Sequence, residues 1–219
     1  MANPGTLDHV RSAYDTVAEA YAATLPDTGF ESPLDLAMID EFSALLRCAP
    51  GRYVIDAGCG AGRMSAHLSD AGLEVTGVDL SPAMVQTARR LHPALTFDVG
   101  ELTDLPADDG AADGILAWYS IIHSSPGALP AIAREFWRAL RPGGLALIAF
   151  QAGSGRRTIT RAYGHDVELR AELHAPDNVA LDFTGQGFVV RAQLLRAARP
   201  TEKDPQAVLL LAKPLAPLP

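Results

Sequence analysis

Cysteine is nearly absent: Cys48 and Cys59 are the two thiols in 219 residues. They build no disulfide framework, so a reducing interior is the expected surrounding. Long apolar runs are missing too, and nothing approaches the roughly 20 residues a membrane span requires. Residues 1–20 carry Asp8, Arg11, Asp15 and Glu19 where a signal peptide would have its apolar core. Basic residues are in deficit, 18 Lys and Arg against 26 Asp and Glu, for a net charge of -8. That balance argues against a nucleic-acid surface, which needs clustered excess cations. The densest basic groups, Arg156-Arg157 with Arg161 and Arg191/Arg196/Arg199, lack interleaved aromatics. They read as solvated faces, the first having contact with an anionic acceptor as its other use. No His-x-x-x-His, Cys-x-x-Cys or tight carboxylate cluster has ligand spacing, so no metal is expected. The absences leave a soluble, cytoplasmic protein whose partners are neither nucleic acid nor membrane, as a monomer or homodimer.

What is present centres on Tyr53-Val54-Ile55-Asp56-Ala57-Gly58-Cys59-Gly60-Ala61-Gly62-Arg63. An apolar β-type run enters a turn with three glycines, and a helical sequence, Met64 to Ala71, follows. Backbone approaches a ligand closely where no Cβ intervenes, so strand, glycine turn and helix start form a nucleotide-sized cradle. Glu74 to Asp79 is a second apolar strand, ending in a carboxylate about 20 residues past the glycines, the spacing that grips ribose hydroxyls. An adenosine-containing ligand is expected. A dinucleotide fingerprint reads G-x-G-x-x-G/A and faces a pyrophosphate. Here Arg63 replaces the third small residue, and Asp56 before the turn would repel a pyrophosphate but suit an ammonium group.

The pattern D-x-G-x-G-x-G followed by V-D resembles the class I S-adenosylmethionine-dependent methyltransferases of the small-molecule type. The resemblance implies an α/β fold: a doubly wound, mostly parallel seven-stranded sheet of order 3-2-1-4-5-7-6, its last strand antiparallel. It also implies S-adenosyl-L-methionine as cofactor, S-adenosyl-L-homocysteine as its product, and a small-molecule acceptor. On this likeness Asp56, Gly58, Cys59, Gly60, Gly62 and Arg63 wrap the methionine part, and Asp79 with Leu80 holds the ribose. Glu101 stands where the family has an adenine acceptor, with Asp104 close enough to compete, and the Leu102 backbone reaches the ring. The run from Ala13 to Tyr21 resembles the family's N-terminal lid helix, making Tyr14 and Tyr21 candidates to close the methionine pocket; an amphipathic stripe would place them equally well. The turn Leu140-Arg141-Pro142-Gly143-Gly144 is a further likeness.

In chain order, Met1–Thr6 is expected to be loose and Leu7 to about Thr24 helical, with apolar residues at 3.6-residue spacing. A second helix is expected from about Ser32 to Arg47. Both precede the first sheet strand and are expected over an edge or across its mouth, so 1–50 forms the lid. Residues 51–150 form the cofactor core: Ser81-Pro82 starts a helix to about Leu91, Leu95–Val99 and Ala112–Trp118 are strands, Ser125–Leu140 is a helix and Leu145–Phe150 the fifth strand. The irregular 151–175 is where the family inserts acceptor-binding elements. A short helix at Pro176–Gly185 and an antiparallel pair ending at Ala212 complete 151–213, and 214–219 is expected to be disordered. The whole, 1–219, reads as one domain.

Ligands in such sheets sit beyond the carboxyl ends of the strands, which puts Trp118, Tyr119 and His123 opposite the cofactor. The sulfonium activates its own methyl group, leaving positioning, water exclusion and removal of an acceptor proton to the protein. His123 is the candidate base; a core or helix-end histidine is its structural alternative. His165 is a candidate acceptor contact, and Tyr119 could orient an acceptor oxygen. His9, His67, His92 and His174 are expected on helix surfaces or loops. O-methylation is favoured over N- or C-methylation. Two other classes stay open: a protein that holds the cofactor without transferring methyl, as a cyclase or scaffold, and a nicotinamide oxidoreductase.

Overall fold

The computed structural model describes residues 4–215, with side chains from Leu7 onward. The expected disorder at 216–219 and the looseness at 1–3 lie outside the described residues. Pro4–Thr6 is helical, extending the first helix, α1, to Pro4–Thr24.

α2 (Pro33–Arg47) starts at a capping box, in which the Ser32 hydroxyl accepts from the Asp35 N–H and the Asp35 carboxylate accepts from the Ser32 N–H. Then come β1 (Tyr53–Ala57), α3 (Arg63–Asp70), β2 (Glu74–Asp79), α4 (Pro82–Leu91), β3 (Thr96–Val99) and β4 (Ala112–Trp118). After two 3₁₀ turns, α5 (Leu129–Ala139) leads into β5 (Leu140–Gln151); β6 (Arg156–Ala162), β7 (His165–Glu172), α6 (Pro176–Thr184), β8 (Val189–Arg196) and β9 (Gln206–Ala212) follow.

Seven strands form one sheet in the order β3-β2-β1-β4-β5-β9-β8, while β6 and β7 pair separately. Counting only the sheet's own strands, this is 3-2-1-4-5-7-6, with β9 antiparallel to both neighbours. β4 is buried at every residue, as a central parallel strand covered on both faces must be. Ile55, Ile115 and Ile148 pack toward α5 and α6. Val54, Leu116 and Leu147 meet Ile39, Phe42 and Leu46 of α2 on the opposite face. Each such fully buried side chain contributes roughly 1.5–3 kcal/mol.

Several expectations are corrected. α2 covers a sheet face rather than the mouth, because its Ile39, Phe42 and Leu46 stripe is wholly apolar and buried. α5 begins at Leu129, since Ser125 and Pro126 open a 3₁₀ turn. β5 begins at Leu140, and the Arg-Pro-Gly-Gly turn becomes a bulge between the Ala112–Leu140 and Gly114–Leu145 pairs. The irregular segment after residue 151 holds a β-hairpin whose Tyr163-Gly164 turn has positive φ at both residues, 50° and 84°. Two-residue hairpin loops take this primed geometry because it matches strand twist.

Candidate functional site

The first βα turn shows why glycine is required. Gly58 has φ of 86°, and a Cβ there would lie 2.2 Å from Ser120 Cβ. A Cβ on Gly60 would lie 3.2 Å from the Tyr21 ring. The turn is thus bare backbone facing the lid helix. It is held to β2 by the Gly58 and Cys59 N–H groups, which donate to the Val78 carbonyl.

Asp79, at the end of β2, accepts from the Gly60 N–H at 2.8 Å and from the Ser81 N–H at 2.9 Å. Burial raises its pKa, while those two N–H donors act in the opposite sense. The Ser81 hydroxyl caps α4 and donates to Asp15 of α1 at 2.5 Å. α1 is further tied to α4 through Glu19 and Arg90. α1, α4 and the glycine turn are therefore one hydrogen-bonded unit across the sheet's carboxyl edge.

Between them lies a cavity of about 950 Å³. Tyr14, Tyr21, Gly58, Gly60, Arg63, Asp79, Leu80, Glu101 and Leu102 line one end. Trp118, Tyr119 and His123 line its middle, with Glu31 between Arg63 and Trp118 and with Phe30, Gln151, Arg157 and Lys203 beyond. Asp104 does not line it, which leaves Glu101 as the carboxylate at that edge. Tyr119 has φ of 58° directly after β4, a backbone state costly for a bulky residue and concentrated at ligand sites.

Four residues singled out in the sequence lie elsewhere. Asp56 sits beneath the turn, 1% exposed, its Oδ2 accepting from the Ser65 hydroxyl at 2.6 Å. Burial raises its pKa to about 6. The Cys59 side chain turns away into a cluster with Val85, Ala88 and Phe97, and burial pushes its thiol well up. Gly62 meets Phe97 and His92 rather than the cavity, its φ of 87° opening α3. His165 is exposed on the hairpin, paired with Ala162, and does not line the cavity. His174, expected on a surface, is buried and bonded to the Ile121 carbonyl.

His123 is committed at both nitrogens. Its Nδ1 lies 2.8 Å from the Arg170 carbonyl, and its Nε2 lies 2.8 Å from the Tyr14 hydroxyl. A carbonyl only accepts, so Nδ1 carries the proton and Nε2 of the neutral ring accepts from Tyr14. Burial lowers the His123 pKa, opposed by the Arg170 carbonyl.

Glu31, Ser120, Arg157 and Tyr163 also line the cavity; Glu31 and Ser120 carried no sequence signal, whereas Arg157 belongs to the basic group for which an anionic acceptor was the other use. Arg63 bridges to Glu31 at 2.7 Å, and the Trp118 indole N–H donates to the same Glu31 at 3.1 Å. Asp56 Oδ1, Ser120 Oγ and Glu31 Oε2 are buried without hydrogen-bond partners among the described residues. The Tyr163 ring, at the hairpin tip, packs 5.0 Å from Tyr21. Its one sequence hint was a Tyr-Gly pair between β-type runs.

A strand, glycine turn and helix with an acid at the end of the next strand, under a lid on this sheet order, define a known class. Residues 54–144 match the methyltransferase domain family. The chain is 37% identical over 140 residues to the malonyl-[acyl-carrier protein] O-methyltransferase of Salmonella typhimurium, the match covering 63% of this chain and 51% of that protein. It is 33% identical over 142 residues to the demethylmenaquinone methyltransferase of Beutenbergia cavernae, covering 64% and 57%. The chain thus spans about half the length of these curated relatives. Among solved structures, the Burkholderia thailandensis 1,6-didemethyltoxoflavin-N1-methyltransferase, with S-adenosylhomocysteine bound, superposes with a TM-score of 0.70 at 21% identity, over 98% of this chain and 92% of that one. Residues 54–144 thus carry a methyltransferase domain, and the solved structures that share the fold include S-adenosylmethionine-dependent methyltransferases.

Proposed function

We propose that this protein transfers the methyl group of S-adenosylmethionine to an oxygen of a small-molecule acceptor. The observation that carries the reading is the pair of partnerless buried oxygens lining the cavity, Ser120 Oγ and Glu31 Oε2. Unpaired buried acceptors are costly, and the ammonium group of an amino-acid end is the donor such a pair fits. Arg63 is the matching cation for the carboxylate. Asp79 and Glu101, at the same end of the cavity, suit ribose hydroxyls and an adenine amino group. When bound, S-adenosylmethionine supplies an electrophilic methyl on a sulfonium. Tyr14, Tyr21 and Tyr163 exclude water around that end, and Trp118 and Tyr119 orient the acceptor.

Calorimetric titration with S-adenosylhomocysteine and, separately, with a nicotinamide dinucleotide tests the reading. The first is expected to bind and the second not; the reverse overturns it. Asp79→Ala is expected to weaken S-adenosylhomocysteine by about 1–3 kcal/mol through unpaired hydroxyls, and unchanged affinity would remove Asp79 from the site. A protein that holds the nucleoside without transferring methyl is the second reading. It is favoured by one observation: His123, the expected base, has no nitrogen free for an acceptor.

A further inference from the structure

Charge is divided along the cavity. At the nucleoside end the carboxylates lining the cavity are Glu31, Asp79 and Glu101, against the cations Arg63 and Arg11, the latter 3.8 Å from Glu101. At the far end the surplus reverses. Arg157, Arg199 and Lys203 line the wall, with Arg196 behind them. Three carboxylates answer these four cations. Asp35 and Glu202 clasp Arg196 at 2.6 Å each, and Asp204 meets Arg157 at 2.9 Å. Lys203 forms no ion pair among the described residues, and Arg157 Nε is a buried N–H donor with no acceptor. In a chain of net charge -8, a local cationic excess focused by low-dielectric walls attracts anions.

The proton chemistry points the same way. With Nδ1 on the Arg170 carbonyl and Nε2 on Tyr14, His123 has no nitrogen turned to an incoming group. An acceptor that must lose a proton during transfer finds no base there. A carboxylic acid, with an ordinary pKa near 4, is already ionised at neutral pH and needs none.

Resting on the methyl-transfer reading, we propose that the acceptor is a small carboxylate, held by Arg157 with Lys203 at the cavity's far end, and that the product is its methyl ester. A carboxylate oxygen donates a lone pair to the methyl carbon, the C–O bond forms as the C–S bond breaks, and that bond's electron pair stays on sulfur. The negative acceptor and positive sulfonium become a neutral ester and a neutral thioether, and no proton moves. Phe30, Trp118 and Ile159 supply apolar wall for the rest of the acid.

The test uses protein saturated with S-adenosylhomocysteine, titrated calorimetrically with hexanoate and benzoate and with their primary amides. The acids are expected to bind on the order of tenfold tighter than the amides, the scale of a charge-assisted hydrogen bond. Arg157→Gln is expected to abolish the preference and Arg157→Lys to restore part of it, with S-adenosylhomocysteine affinity within about twofold of the parent throughout. Should Arg157→Gln unfold, Lys203→Gln is expected to reduce the preference on its own. Equal affinity for acids and amides, or no binding of either, overturns the proposal, as does inorganic phosphate displacing the acids at lower concentration. Failure of S-adenosylhomocysteine to bind the parent protein takes the methyl-transfer reading down as well; parity of acid and amide with it bound removes only this inference. With tritiated methyl donor, label released by alkali as methanol supports an ester, and alkali-stable label argues against one.

Discussion

The two ends of the cavity are made by different means. The nucleoside end is backbone: a glycine turn pinned to Val78 and an acid held by two N–H groups, all within residues 54–102. The acceptor end is assembled from side chains far apart in the chain: Phe30 before α2, Arg157 on the hairpin, Lys203 between β8 and β9. A backbone site tolerates almost no local change, because each atom is fixed by chain geometry. A side-chain site can be rewritten residue by residue while the sheet beneath it stays intact, which suits a fold that serves many acceptors.

The largest expected effect breaks the first end. Gly58→Ala adds a Cβ 2.2 Å from Ser120 Cβ at a φ of 86°. Left-handed strain and overpacking together are expected to cost roughly 2–5 kcal/mol of stability, read from the urea midpoint at constant m-value. An unchanged midpoint would mean that the turn relaxes, and that bare backbone is not what shapes it.

Next comes Asp56, whose carboxyl titrates near pH 6 in the fold. Its pKa is raised above the unfolded value near 4, so the native state binds the extra proton and stability falls as pH rises between about 4 and 6. The full difference is about 3 kcal/mol. Asp56→Asn is expected to lose that dependence, so unfolding of parent and variant compared at pH 4 and pH 6.5 should diverge toward the higher pH. Parallel curves would leave Asp56 without a burial penalty.

The smallest effect sharpens the contrast at the second end. The chain from Tyr14 through His123 to the Arg170 carbonyl ties the lid to the hairpin. Tyr14→Phe is expected to cost about 1 kcal/mol and to raise amide exchange in β6 and β7 severalfold while β1 and β4 stay protected. Uniform exchange across the molecule would show that the hairpin is held by something else.

Much of the first end was legible before folding. Asp56, the glycines and Asp79 stand close enough in sequence that strand and helix geometry alone bring them together, and β1 with β2 follows from apolar runs of the right length. Side-chain direction within the turn was not legible: Cys59 lies between two glycines at the site yet points into the α4 packing, since one φ angle decides which way a Cβ faces. Nor was the placement of α2, which was expected over an edge or across the mouth and lies on a sheet face.

The amino-acid sequence by itself determined the fold class and the glycine turn with an acid at the end of the next strand, because these depend on local periodicity and fixed spacing. Only the tertiary structure decided that Glu31 meets Arg63 and Trp118, that His165 stands off the cavity, and that Tyr14 and Arg170 occupy His123. Those contacts join residues from 32 to 109 positions apart, and separations that long leave no pattern in a linear chain.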